Sequence, residues 1–101
     1  MDGPYKVILY PAAERDLLDI TDYLNTLSPQ AAFRYYDLLT EQIASLETMP
    51  KRCPKVRDSL LASKGYRYLI VKDYLVFYIV VEDTVQIHRI FYGRRDYQAL
   101  L

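Results

Sequence analysis

Three apolar runs in the last third of this chain leave few folds open. Tyr66–Val71, Tyr74–Val81 and Thr84–Phe91 are rich in Val, Ile, Tyr and Phe, residues that suit a pleated, half-buried surface. Lys72-Asp73 and Glu82-Asp83 separate them, each pair short enough for a tight hairpin. The pattern predicts a three-stranded antiparallel meander. Its last strand runs into Gly93-Arg94-Arg95-Asp96-Tyr97, which brings positive charge to one rim of the sheet.

The upstream half changes period. Tyr5 to Tyr10 reads as a first strand closed by Pro11, which cannot donate to a ladder. From Ala12 to Leu27 the residues Leu17, Ile20, Leu24 and Leu27 recur at helical steps, with Glu14 and Asp16 placed in the first turn, where the helix dipole favours acids. Ser28-Pro29 predicts a cap followed by the first residue of a second helix. That helix sets Phe33, Tyr36, Leu39, Ile43 and Leu46 on one face and stops at Met49-Pro50. Lys51 to Lys64 reads as an irregular basic connection, and a short helix is expected from about Arg95. The predicted fold class is α+β in the order β-α-α-β-β-β-(short α): an antiparallel meander with a helical hairpin on one face. The N-terminal strand joins beside the final strand or in the middle of the sheet.

At 101 residues the chain has the length of one domain, 1–101, with one modest core. No apolar run is long enough for a transmembrane helix, and Met1-Asp2-Gly3-Pro4 lacks the plan of a signal peptide. The expectation is a cytoplasmic protein without membrane contact. One Cys and one His offer no metal-ligand spacing, so no metal site is expected. Net charge is zero but unevenly spread. Residues 1–50 carry three bases and eight acids, whereas residues 51–101 carry ten bases and five acids. Such a dipolar chain can turn its positive half toward phosphate or an acidic partner; solvated acidic helix faces would give the same numbers.

Gly65-Tyr66-Arg67, the run Tyr74 to Tyr78, and Val85 through Gly93-Arg94-Arg95-Asp96 now stand together behind a strand–helix–helix start. With that order the chain resembles the RelE/ParE superfamily of toxins from bacterial type II toxin–antitoxin systems. The resemblance implies a growth inhibitor held by a cognate antitoxin, with no small-molecule substrate and no metal or organic cofactor. One branch cleaves mRNA on the ribosome without metal; the ParE branch poisons DNA gyrase. The lean is to the gyrase mode, because Asp58 and Leu60 stand where the nuclease branch carries lysines.

For the nuclease alternative, RNA cleavage needs a base, an acid and cations at the phosphate. The resemblance places Arg67 and Arg95 at the phosphate, with His88 or Tyr92 moving protons. Strict alternation sets His88 on a face with Gln86, Ile90 and Tyr92, and Arg89 with Val85, Ile87 and Phe91; a bulge would reverse part of that. Lys51, Arg52, Lys55, Arg57, Lys64, Arg89 and Arg94 are candidates for contact with phosphate or a partner's carboxylates. The competing role for Arg67 is an ion pair with Asp19 or Asp22. Tyr66, Tyr68, Tyr74 and Tyr78 are expected to fill the sheet's core and edge.

Overall fold

The computed structural model describes residues 4–93 and residue 101. Four strands, β1 (Lys6–Leu9), β2 (Arg67–Val71), β3 (Tyr74–Val81) and β4 (Thr84–Tyr92), form a sheet in the order β1-β4-β3-β2. The meander β2-β3-β4 is antiparallel as predicted, and β1 joins at the edge, parallel to β4. Helices α1 (Pro11–Leu27) and α2 (Pro29–Ala44) pack together on one face. The predicted C-terminal helix lies outside the described residues.

Pro11 begins a helix instead of merely ending a strand. Its missing N–H is harmless at the first helical position, and Tyr10 serves as the N-cap. Asp16 therefore lies beyond the first turn, where it has a different task. The Ser28-Pro29 junction folds as expected: the Ser28 hydroxyl accepts from the Ala31 amide at 3.2 Å, and the Ser28 amide donates back to Leu24.

The core on the helical side is built from Ala13, Leu17, Leu39, Ile43 and Leu46 against Leu69, Val71, Tyr74, Val76, Tyr78, Val85, Ile87 and Ile90. Tyr66, Tyr74 and Tyr78 are buried, as expected for them. The predicted helical faces hold at Leu17, Leu39, Ile43 and Leu46, which are buried, but not at every position. Phe33 is 70% exposed and Leu27 65%, and Tyr36 is exposed as well. From α2, Leu39 and Ile43 join the core with Tyr35 and Leu38 packed against them, and Ala32 is buried as well. Small Ala13 and Ala32 are buried alongside Leu17, Leu39 and Ile43.

The connection from Lys51 is more ordered than predicted. It holds a 3-10 turn, Pro50–Arg52, and a short helix α3 (Ser59–Ser63). Asp58 caps α3 by accepting from the Leu61 amide at 2.9 Å. The helix ends in a Schellman motif: Gly65 (φ +92°) donates to Ala62, and Tyr66 donates to Leu61. Gly is favoured in that left-handed position because it has no Cβ. Val56, Leu61, Tyr66, Phe77 and Phe91 form a second cluster on the sheet's other face, with Leu101 packed against it. Tyr66 and Arg67 are adjacent in the chain, so the sheet separates their side chains.

Candidate functional site

Arg67 lies on the helical side of β2, opposite Tyr78 in the register. Its Nη1 donates to the carbonyls of Cys53 at 2.6 Å and Lys51 at 3.3 Å. The buried Tyr78 hydroxyl donates to the Pro50 carbonyl at 2.6 Å. Burial and then the neighbouring Cys53 push the Tyr78 pKa up, so the phenol stays a donor. Arg67 and Tyr78 thus fasten the turn at 50–53 to the sheet. The expected ion pair with Asp19 or Asp22 is replaced by these carbonyl contacts.

His88 is on the other face. Phe77 pairs with Arg89 and Tyr78 with Ile87, so His88 is the extra residue of a β-bulge. The bulge reverses the alternation. His88 faces Tyr66 of the second cluster, whereas Tyr92 returns to the helical side against Tyr74. The Tyr66 hydroxyl lies 2.9 Å from Nδ1, and Nε2 lies 3.2 Å from the Gln86 side-chain oxygen. A neutral ring protonated on Nε2 satisfies both contacts. Burial lowers the His88 pKa and raises that of Tyr66, and both shifts favour this arrangement. Tyr10 stacks on the imidazole with centroids 4.6 Å apart.

Among the described residues, Arg67 therefore does not meet either candidate proton-transfer group, His88 or Tyr92. Arg67 and His88 occupy opposite faces. Tyr92 pairs with Tyr74 and Arg67 with Tyr78, which puts them four residues apart along β3, about 13 Å. The Gly93 amide donates to the Asp73 carbonyl at 2.7 Å, so Gly93 lies beside the β2–β3 turn, at the far end of β2 from Arg67. Arg94 and Arg95 lie outside the described residues.

Arg89 is held by an acid that the sequence analysis gave another role. Its Nε and Nη2 donate to Asp16 Oδ2 and Oδ1 at 2.7 and 2.9 Å, and the Ile90 amide donates to Oδ2 at 2.9 Å. β1 ends at Leu9, so the edge of β4 beyond Ile87 would face solvent without that carboxylate. A lone acid beside the buried Leu17 on an otherwise apolar stripe was the available clue.

Arg52 donates to the Thr48 carbonyl at 2.7 Å and the Ser45 hydroxyl at 2.8 Å. Lys51, Lys55, Arg57 and Lys64 are exposed. Between α1 and the β2–β3 turn runs a groove of about 460 Å³ lined mainly by Ile20, Tyr23, Leu24, Leu27, Tyr74 and Tyr92, with Asp19 and Asp73 on its border. Tyr23, Leu27 and Tyr92 are each about 60% exposed there. Among the described residues, no group of three or more His, Cys, Asp or Glu is placed to hold a metal ion. No described helix is long and apolar enough to cross a membrane.

Comparison with known structures finds the same architecture. The toxin–antitoxin ParDE system of Pseudomonas aeruginosa superposes with a TM-score of 0.76 at 20% identity, covering 91% of this chain and 99% of the other. The RelBE2 toxin–antitoxin complex of Mycobacterium tuberculosis gives 0.59 at 23% identity, over 88% and 91%. A conserved hypothetical protein of Helicobacter pylori gives 0.53 at 19%, over 87% and 93%. At these identities the likeness is one of fold. No curated protein sequence matches the chain. The family profile of the ParE toxin of the type II toxin–antitoxin system parDE matches residues 7–97. On that match over nearly its whole length, the chain belongs to the ParE toxin family of type II toxin–antitoxin systems.

Proposed function

We propose that this toxin arrests growth in the cytoplasm by binding DNA gyrase, with a cognate antitoxin neutralising it through the groove beside α1. The observation that carries the non-nucleolytic reading is the separation of Arg67 from His88. A metal-free nuclease needs its cation and its proton-transfer group around one phosphate. Here the guanidinium is bound to two main-chain carbonyls on one face, and the imidazole has both nitrogens engaged on the other.

The groove supplies what a protein partner needs. Exposed Tyr23, Leu27 and Tyr92 offer large apolar area at its floor and wall, and aromatic anchors of this kind dominate binding energy. Asp19 and Asp73 at the border favour a segment with basic residues flanking its apolar side.

Induced expression of the chain tests the target. Growth arrest accompanied by gyrase-dependent double-strand breaks, reproduced with purified gyrase and supercoiled DNA, is the expected result. Defined cuts in ribosome-bound mRNA without DNA breaks overturn it in favour of an endonuclease.

A further inference from the structure

We infer that Lys51, Lys55, Arg57 and Lys64, along the outer edge of β2, form a contact surface for the phosphate backbone of a nucleic-acid duplex. The structure sorts the bases of this half by what already holds them. Arg52 and Arg67 are bound to carbonyls within the protein, and Arg89 is bound to Asp16. The side chains of the four named cations are exposed and make no hydrogen bond or ion pair with the described residues.

They are also brought together. The segment Pro54–Val56 lies along the free edge of β2: Tyr68 donates to Pro54, Lys55 bridges to Arg67, and Val56 donates to Tyr66. Val56 turns into the cluster beneath the sheet, so Lys55, paired with Arg67, points the other way, and exposed Arg57 follows directly in the chain. The Lys51 carbonyl is itself bound by Arg67. Lys64 closes α3 one residue before Gly65, at the start of the same edge. In residues 51–66 the single carboxylate is Asp58, and its Oδ1 is occupied by the Leu61 amide.

Composition selects the partner. Lysine is depleted at protein interfaces, which rely on aromatic anchors, and the single aromatic of residues 49–66, Tyr66, is buried. The same lack of exposed rings removes the platform on which single strands stack. What remains is a row of point charges, suited to phosphates at regular spacing. The chain's net charge is zero, so attraction to phosphate depends on a local concentration of bases such as this row.

The test uses the full chain and a fluorescent duplex of about 20 base pairs of arbitrary sequence, with salt varied from about 50 to 200 mM. Four phosphate contacts predict a slope of log K against log salt near −3.6, a loss on the order of 100-fold across that range. Replacing Lys51, Lys55, Arg57 and Lys64 together by Gln abolishes binding, whereas Gln at Lys6, Arg15, Arg34 and Lys72 leaves it intact at the same net charge. Absence of duplex binding at low salt, equal loss in both variants, tighter binding of a single strand, or equal competition by polyglutamate overturns the inference. It is independent of the gyrase reading, since either result can fail while the other holds.

Discussion

Asp16 on α1 holds Arg89 on β4 through two hydrogen bonds and takes the Ile90 amide as a third, across 73 residues of sequence. The side chains are 13% and 28% exposed, so solvent screens the pair only in part. Asp16→Ala leaves a guanidinium and an amide unpaired together, and the expected cost is about 2–4 kcal/mol. Urea denaturation of both single variants and the double variant checks this. A coupling energy near zero would show that the pair contributes nothing beyond its separate parts.

Arg67 and Tyr78 secure the 50–53 turn, so their removal is predicted to loosen it. Arg67→Ala or Tyr78→Phe should each lower stability by about 1–2 kcal/mol. Limited proteolysis should then cut between residues 49 and 58 sooner than in the unaltered chain. Cleavage elsewhere first would contradict the fastening role.

His88 gives stability a pH dependence of defined sign. Its folded pKa is depressed below 6.5 by burial, so near that value the unfolded chain binds more protons than the folded one. Stability therefore rises with pH through this window and falls as pH drops below about 6.5. His88→Gln should flatten the curve between about pH 5 and 7 in chemical denaturation. An unchanged slope would place the titration elsewhere.

Lys72 and Glu82 both adopt φ of +55° in the two hairpin turns. Residues with a Cβ are strained in that region, whereas Gly is not, although Gly loses more entropy on folding. Lys72→Gly and Glu82→Gly are each expected to stabilise by about 0.5–1 kcal/mol, measured by thermal unfolding. A lowered melting temperature would mean that the lysine or glutamate side chain makes compensating contacts.

Leu27→Glu tests the groove without disturbing the core, since Leu27 is 65% exposed. It should weaken capture of a co-expressed antitoxin by tenfold or more, about 1.4 kcal/mol, and leave growth arrest in its absence unchanged. Equal affinity would move the antitoxin to another face.

Element order was readable because its signals are local. Two charged residues between apolar runs make hairpins, and Ser28-Pro29 can both stop and start a helix, whatever surrounds them. Helical faces were less legible. Phe33 and Tyr36 have the right spacing to be buried yet are exposed, whereas Leu39 and Ile43 of the same expected face are buried, because the neighbouring layers set how wide an arc of the helix is covered.

The site belongs to contacts made at long range. A bulge at His88 turns one part of β4 over, and its position depends on strand pairing with β3 as much as on residues 84–92. Arg67 finds carbonyls 14 and 16 residues away, and Asp16 seals a strand edge that exists because β1 stops short. Charge and periodicity could say which residues were cationic or apolar. Which cations would be taken up inside the protein, and which left facing outward, followed from packing that brings distant main-chain groups within hydrogen-bond reach.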